Sequence, residues 1–227
     1  LHLSIRRQRQ MCIRDRYVTF TGNMSGMLIA EYILREKKAN GTLPANGALV
    51  ETIVTTDMAK AIAKAYGVKL IEVLTGFKYI GEQIKFFEQQ NSYEYVFGLE
   101  ESYGCLAGTY ARDKDACVAV MMLCEVAAWC KSNGITLWDA MVSLYETYGY
   151  YKEGLETMTL KGMDGAEKIQ SMMNEMRNNP PKKIGAWDVL ALRDYKKDTR
   201  TDMTSGEVTP TGPVSYTHLT LPTNREV

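Results

Sequence analysis

Histidine is almost missing from this sequence: of 227 residues only His2 and His218 are histidines, both near the ends. Residues 3–217 therefore hold no Ser-His-Asp triad, Cys-His pair or histidine-bearing zinc site. Cysteine is scarce too, and none of the five forms a C-x-x-C pair. Cys117, Cys124 and Cys130 fall in the run "DACVAVMMLCEVAAWCKS"; with Cys105 they read as buried free thiols of a reducing compartment, not a disulfide framework. Met121-Met122 reads as core. Glu125 interrupts that run, which is too short to span a bilayer. Neither G-x-x-x-x-G-K-[ST] nor G-x-G-x-x-G occurs, which removes the two common nucleotide-binding fingerprints.

The two ends are related through the genetic code. Met11 to Asp15, written ATG TGT ATA AGA GAC, has the reverse complement GTC TCT TAT ACA CAT, which reads Val214 to His218. The match continues outward without a gap, from Gln10 with Leu219 to His2 with Val227. Such an inverted repeat is how an adapter or transposon end on a DNA fragment reads. Residues 1–16 and 214–227 are therefore expected to be adapter-derived and are set aside, leaving 17–213 as a piece of a larger protein. Those ends carry six of the 27 basic and two of the 27 acidic residues, leaving 21 basic against 25 acidic. A net charge near −4 argues against a nucleic-acid or anionic-membrane surface. The expectation is a soluble cytoplasmic protein.

What remains alternates between strand and helix patterns. "MLIAEYILREKK" has helical spacing with Asn23 or Ser25 as N-cap, and "NGTLPANG" stops it. "ALVETIVT" is a strand, after which Thr56 or Asp57 caps "MAKAIAKAY", closed by Gly67. "VKLIEVL" is a second strand, and Thr75-Gly76 leads into the amphipathic "FKYIGEQIKFFEQQ". "YEYVF" is a third strand. An apolar helix follows from about Asp115 to Cys130, and another begins at Thr136. This alternation predicts an α/β layer architecture. Tyr17 to Phe20 reads as a strand entered midway. Past Gly149, "YYKEGLETMTLKG" alternates like a strand, "DGAEKIQSMMNEMRNN" is a helix stopped by Pro180-Pro181, and the stretch from Asp194 has no strong periodicity. Residues 17–149 and 150–213 are expected to be separate domains, the second incomplete.

Ligands in α/β layers gather where loops leave the carboxyl ends of strands. Here those loops are "VTTD" (54–57), "LTGFK" (74–78) and "GLEESYG" (98–104). Glu100 and Glu101 point to opposite sides of an extended chain, a poor acid/base pair. One glutamate with Ser102 suits vicinal sugar hydroxyls, because a carboxylate accepts two O–H bonds and the serine donates or accepts. Arg112 and Lys114 in "ARDKD" are cations able to reach a phosphate. Each feature has a plainer reading: Asp57 as a helix cap, Thr75-Gly76 as a turn, "RDKD" as a solvated helix start and "EESYG" as a polar turn.

Taken together, "TGNMSGMLIAEYIL", "ETIVTTDMAKAIAKAYGV", "LTGFKYIGEQI", "FGLEESYG", "ARDKDA" and "YGYYKEGL" resemble bacterial phosphoglucomutases of the α-D-phosphohexomutase superfamily, in that family's order and over nearly all of 17–213. "TGFKYIG" and "GLEESYG" are the specific parts. The resemblance implies a layered mixed sheet with flanking helices, of the family's third-domain type, preceded by the end of the second domain. An incomplete α+β opening of the fourth would follow at 150–213. Family members move phosphate between O1 and O6 of a hexose through a bisphosphorylated intermediate, with a phosphoserine on the first domain and Mg²⁺ on the second.

By that resemblance Glu100 and Ser102 bind the hexose O3 and O4 hydroxyls. Thr75 and Gly76 face the substrate, and Lys114, with Arg112 as a second cation, approaches the phosphosugar. Glucose 1,6-bisphosphate is the implied intermediate and activator, a hexose phosphate the implied partner. No match to the serine motif, the D-x-D-x-D metal loop or the R-x-S-G-T phosphate loop occurs in 17–213. The piece is therefore expected to bind sugar phosphate weakly and to catalyse nothing alone. The alternatives are phosphomannomutase or phosphopentomutase specificity, or a non-catalytic sugar-phosphate-binding module.

Overall fold

The computed structural model describes residues 19–154 and 158–211; the adapter-like ends lie outside the described residues. The chain divides into two compact units between Lys152 and Glu153. In the first, α1 (Gly22–Ala39), β1 (Gly47–Thr52), α2 (Met58–Tyr66), β2 (Lys69–Val73), α3 (Phe77–Gln90) and β3 (Glu94–Leu99) alternate. β4 (Cys105–Ala107), α4 (Ala116–Ser132) and α5 (Leu137–Tyr148) then follow. The sheet order is β2-β1-β3-β4, parallel throughout except for β4, which runs antiparallel to β3. This is the layered mixed sheet expected from the sequence.

β1 is buried on both faces, as a central parallel strand requires. Its side chains alternate: Ala48 and Val50 pack with Phe77, Ile80 and Ile84 of α3, while Leu49 packs with α1 and α2 on the opposite face. α4 and α5 join that second face through Val126, Cys130, Met141 and Leu144. The pairing of β1 with β3 slips between Ala48↔Tyr95 and Leu49↔Phe97, leaving Val96 as an extra residue. Such a bulge re-aims everything after it. Val96 and Phe97 both face the α1 side, and Gly98 lies against Tyr95 and Ile80 on the α3 side. Leu99 returns to the α1 side, so the next residue, Glu100, emerges toward α3.

Several local expectations are corrected. Thr21, not Asn23 or Ser25, caps α1: its Oγ1 accepts the Met24 N–H at 3.2 Å, which starts the helix early and buries Asn23 inside it. At α2 the Thr56 hydroxyl accepts the Met58 N–H at 3.2 Å, while the Asp57 carboxylate turns to Lys60 at 2.8 Å. Asp115 and Thr136, read as the starts of α4 and α5, are their N-caps, the latter through a capping box with Asp139. Of the four thiols in the described residues, Cys105 and Cys130 are buried but Cys117 and Cys124 are exposed. Met121 is also exposed: it shares the outward stripe of α4 with those two, so it is not core. Among the described residues no single helix is long and apolar enough to cross a membrane.

The second unit holds α6 (Gly162–Asn178), the hairpin β5 (Lys183–Ile184) and β6 (Trp187–Asp188), and the meander β7 (Ala191–Asp194), β8 (Thr199–Asp202) and β9 (Val208–Thr209). The end of α6 is tied to the meander by Arg177 Nε and Asp194 Oδ2 at 2.8 Å, both side chains nearly buried. The strand expected over Tyr150–Gly162 does not form at 151–154 or 158–161, where Met158 and Leu160 find no face to cover them; 155–157 lie outside the described residues. Likewise Thr19 and Phe20 are not strand, and Tyr17 and Val18 are outside the described residues.

Candidate functional site

Loops leave the carboxyl ends of β1, β2 and β3 on one edge of the sheet, and the loop after β3 bridges the other two. It is a hairpin turn closed by the Glu100 N–H donating to the Gly104 carbonyl at 2.8 Å. Glu100 is 8% exposed, and the Gly76 backbone N–H at the start of α3 faces its carboxylate and favours its charged form. Gly104 makes room for this: a Cβ there would lie 2.8 Å from Glu100 Oε2 and 2.9 Å from Lys114 Cδ. The lysine stem and the carboxylate therefore share one glycine face.

Lys114 is placed by what surrounds it. The Asp115 N–H donates to the Cys105 carbonyl at 2.9 Å, tying "RDKD" to β4. Gly81 lets α3 close on the same segment, since a Cβ there would be 2.2 Å from the Arg112 carbonyl oxygen. Lys114 Nζ then lies 3.2 Å from Asp113 Oδ1 and 5.9 Å from the Phe77 ring centroid. Burial pushes the Glu100 carboxyl above its ordinary value; the Lys114 charge and the Gly76 N–H pull it back, while Glu101 and Asp113 push it further up. A desolvated carboxylate with a backbone N–H facing it and an ammonium nearby is a strong acceptor for hydroxyl donors.

The neighbouring carboxylate goes the other way, as the extended-chain reading requires. Glu101 Oε2 accepts from Thr52 Oγ1 at 3.3 Å, and Thr52 pairs with Thr55 at 2.8 Å, joining this turn to the loop after β1. Ser102 and Thr75 are exposed, on the turn and beside Gly76. Gly76, Glu100 and Lys114 are thus brought together, with Thr75 and Ser102 at the rim. Arg112 is not with them: its guanidinium holds both Glu88 oxygens, at 2.7 and 2.8 Å, and the Thr109 carbonyl at 2.7 Å. Gly104 and Tyr103 fall within the loop "GLEESYG" but were given no role of their own, and Gly22 was not connected with it. Among the described residues no group of three or more His, Cys, Asp or Glu converges as a metal site, so the Mg²⁺ of the resembling family has no ligand set there.

A family model described as phosphoglucomutase/phosphomannomutase, alpha/beta/alpha domain III, matches residues 21–148. The phosphoglucomutase of Staphylococcus aureus strain N315 is 35% identical over 176 residues, 78% of this chain and 31% of that one. The phosphoglucomutase of Staphylococcus epidermidis strain RP62A is 34% identical over 189 residues, 83% of this chain and 34% of that one. The chain thus spans about a third of the length of these curated relatives. Among solved structures, the open form of parafusin, a phosphoglucomutase from Paramecium, aligns at a TM-score of 0.48 and 19% identity, covering 84% of this chain and 31% of that one.

Proposed function

The chain belongs to the phosphoglucomutase/phosphomannomutase family, and from that premise we propose that it supplies the sugar-recognition part of a phosphoglucomutase, which interconverts glucose 1-phosphate and glucose 6-phosphate in cytoplasmic carbohydrate metabolism. The observation that carries this reading is the buried Glu100 carboxylate, with the Gly76 N–H facing it and the Lys114 side chain beside it at Gly104. Its free lone pairs accept two hydroxyls of one sugar ring, with Ser102 as a further partner at the rim. The O3 and O4 hydroxyls present similarly when the ring is turned over, so one acceptor serves both orientations of a hexose that must offer first one end and then the other. Lys114, and behind it Arg112 once released from Glu88, attract the phosphate. Thr75 lines the entrance. Mg²⁺ has no ligand set among the described residues, so the role proposed here is confined to holding the sugar.

Calorimetric titration with glucose 6-phosphate tests this directly. Glu100→Gln removes charge-assisted hydrogen bonds worth about 1.5–3 kcal/mol each, so affinity should fall by about tenfold or more. Equal affinity in the variant would remove Glu100 from the role. Tighter binding of mannose 6-phosphate than of glucose 6-phosphate would move the assignment to phosphomannomutase specificity.

A further inference from the structure

We propose that Gly22 and Tyr103 form a seat that fixes the direction in which the turn presents Glu100 and Ser102, making them positioning residues for the sugar-holding role; the inference rests on that reading. Gly22 is the first residue of α1, and the turn lies directly on it. A Cβ built on Gly22 would stand 1.9 Å from the Glu101 carbonyl oxygen and 2.7 Å from both the Glu101 carbonyl carbon and the Tyr103 nitrogen. All three are backbone atoms, so no rotamer change relieves the overlap: any side chain at 22 must lift the turn. Glycine is needed here for close approach of two backbones.

Tyr103 grips the turn from its other end. It takes φ +70°, a conformation uncommon for a residue with a side chain. Tyr103 is 63% exposed, so burial does not reward that conformation. What the conformation secures is a hydrogen bond from the Tyr103 hydroxyl to the Phe20 carbonyl at 3.0 Å. Phe20 is anchored in turn by its ring, 6.2 Å from that of Trp138. The backbone is therefore held at 101 and at 103, the positions that flank Ser102 and directly follow Glu100. A shift of the turn would draw the Glu100 carboxylate off the Gly76 N–H.

The test is an NMR titration of the ¹⁵N-labelled 227-residue chain with glucose 6-phosphate, for the unaltered chain, Gly22→Ala, Tyr103→Phe and Gly134→Ala. Gly134, at φ +71° with nothing near its Cβ position, is strained by alanine without touching the turn. Misplacement of positioned groups by about 1 Å weakens their action by up to about a hundredfold. Gly22→Ala should thus weaken binding by at least about tenfold, Tyr103→Phe by a few-fold, and Gly134→Ala not at all, although it lowers Tm. Unchanged binding in Gly22→Ala, or an equal loss in Gly134→Ala, overturns the seat. If the unaltered chain binds no sugar phosphate, the functional reading fails, and the seat is judged separately. Amide shifts of residues 99–104 and the Glu100 carboxyl titration should move in Gly22→Ala and Tyr103→Phe only; shifts that stay put overturn it. Should Gly22→Ala fail to fold, Tyr103→Phe, which deletes one oxygen atom, carries both readouts.

Discussion

The unit of residues 19–152 and that of residues 153–211 both combine helices with strands, but they place apolar side chains very differently. In the first, Phe97, Leu99 and Leu106 are at most 1% exposed and β1 is buried along its whole length. In the second, Met163 and Trp187 are 83% and 80% exposed, and Gly165 is the one buried residue of α6. Burial of apolar area stabilises by about 25 cal/mol per Å², so the first unit carries most of the hydrophobic driving force. The second relies more on directed polar contacts, above all the Arg177–Asp194 pair.

Truncation separates the two most sharply. Phe97→Ala should destabilise the first unit by about 3–5 kcal/mol, the usual result of emptying a packed aromatic site. Trp187→Ala, removing a still larger but 80% exposed side chain from the second unit, should change stability by no more than about 0.5 kcal/mol. Urea unfolding followed by hydrogen exchange in each unit reads both numbers; a Trp187→Ala loss as large as that of Phe97→Ala would erase the contrast. Next in size is Arg177→Ala. It leaves Asp194 nearly buried without its guanidinium and should destabilise the second unit by about 1.5–3 kcal/mol. The Asp194 carboxyl is held below its ordinary value, burial raising it but the hydrogen bond from Arg177 and the Lys196 N–H outweighing that. The Arg177→Ala loss should therefore shrink as pH falls through the acid range; a loss that is constant with pH would assign the effect to packing alone.

The same contrast governs how much could be read beforehand. The strands of the first unit lie in buried layers and alternate with amphipathic helices, so period and β-branching expose them. The strands of the second are two to four residues long and none has a buried residue, too short to show a period, and β5 to β9 were not anticipated. Around the site the residues were legible and their geometry was not. "GLEESYG" names Glu100, but which way it faces depends on the bulge at Val96. A bulge is a register mismatch between β3 and β1, a non-local property no single strand sequence carries. Arg112 illustrates the converse: in the sequence it is one more cation beside Lys114, while Glu88, 24 residues earlier, has already claimed it.

Glu100 itself gives the smallest effect on stability and the most informative one, because it separates holding a sugar from holding the fold. Its carboxyl stands above its ordinary value of 4.5, with burial as the first cause. A carboxyl raised on folding makes a contribution that is full below its unfolded value and is lost as pH climbs through the folded one. At neutral pH the folded protein thus bears an ionised group it would hold more comfortably neutral. Glu100→Gln keeps an oxygen for the Gly76 N–H and removes that charge, so Tm at neutral pH should rise slightly even as sugar-phosphate affinity falls. Below the ordinary glutamate range the two proteins should melt together, since both then carry a neutral side chain. Melting curves at pH 3 and pH 8 decide it. A variant less stable than its parent at pH 8 would mean that attraction to Lys114 outweighs desolvation. The carboxylate would then be a structural ion pair, with no strained acceptor kept ready for a sugar.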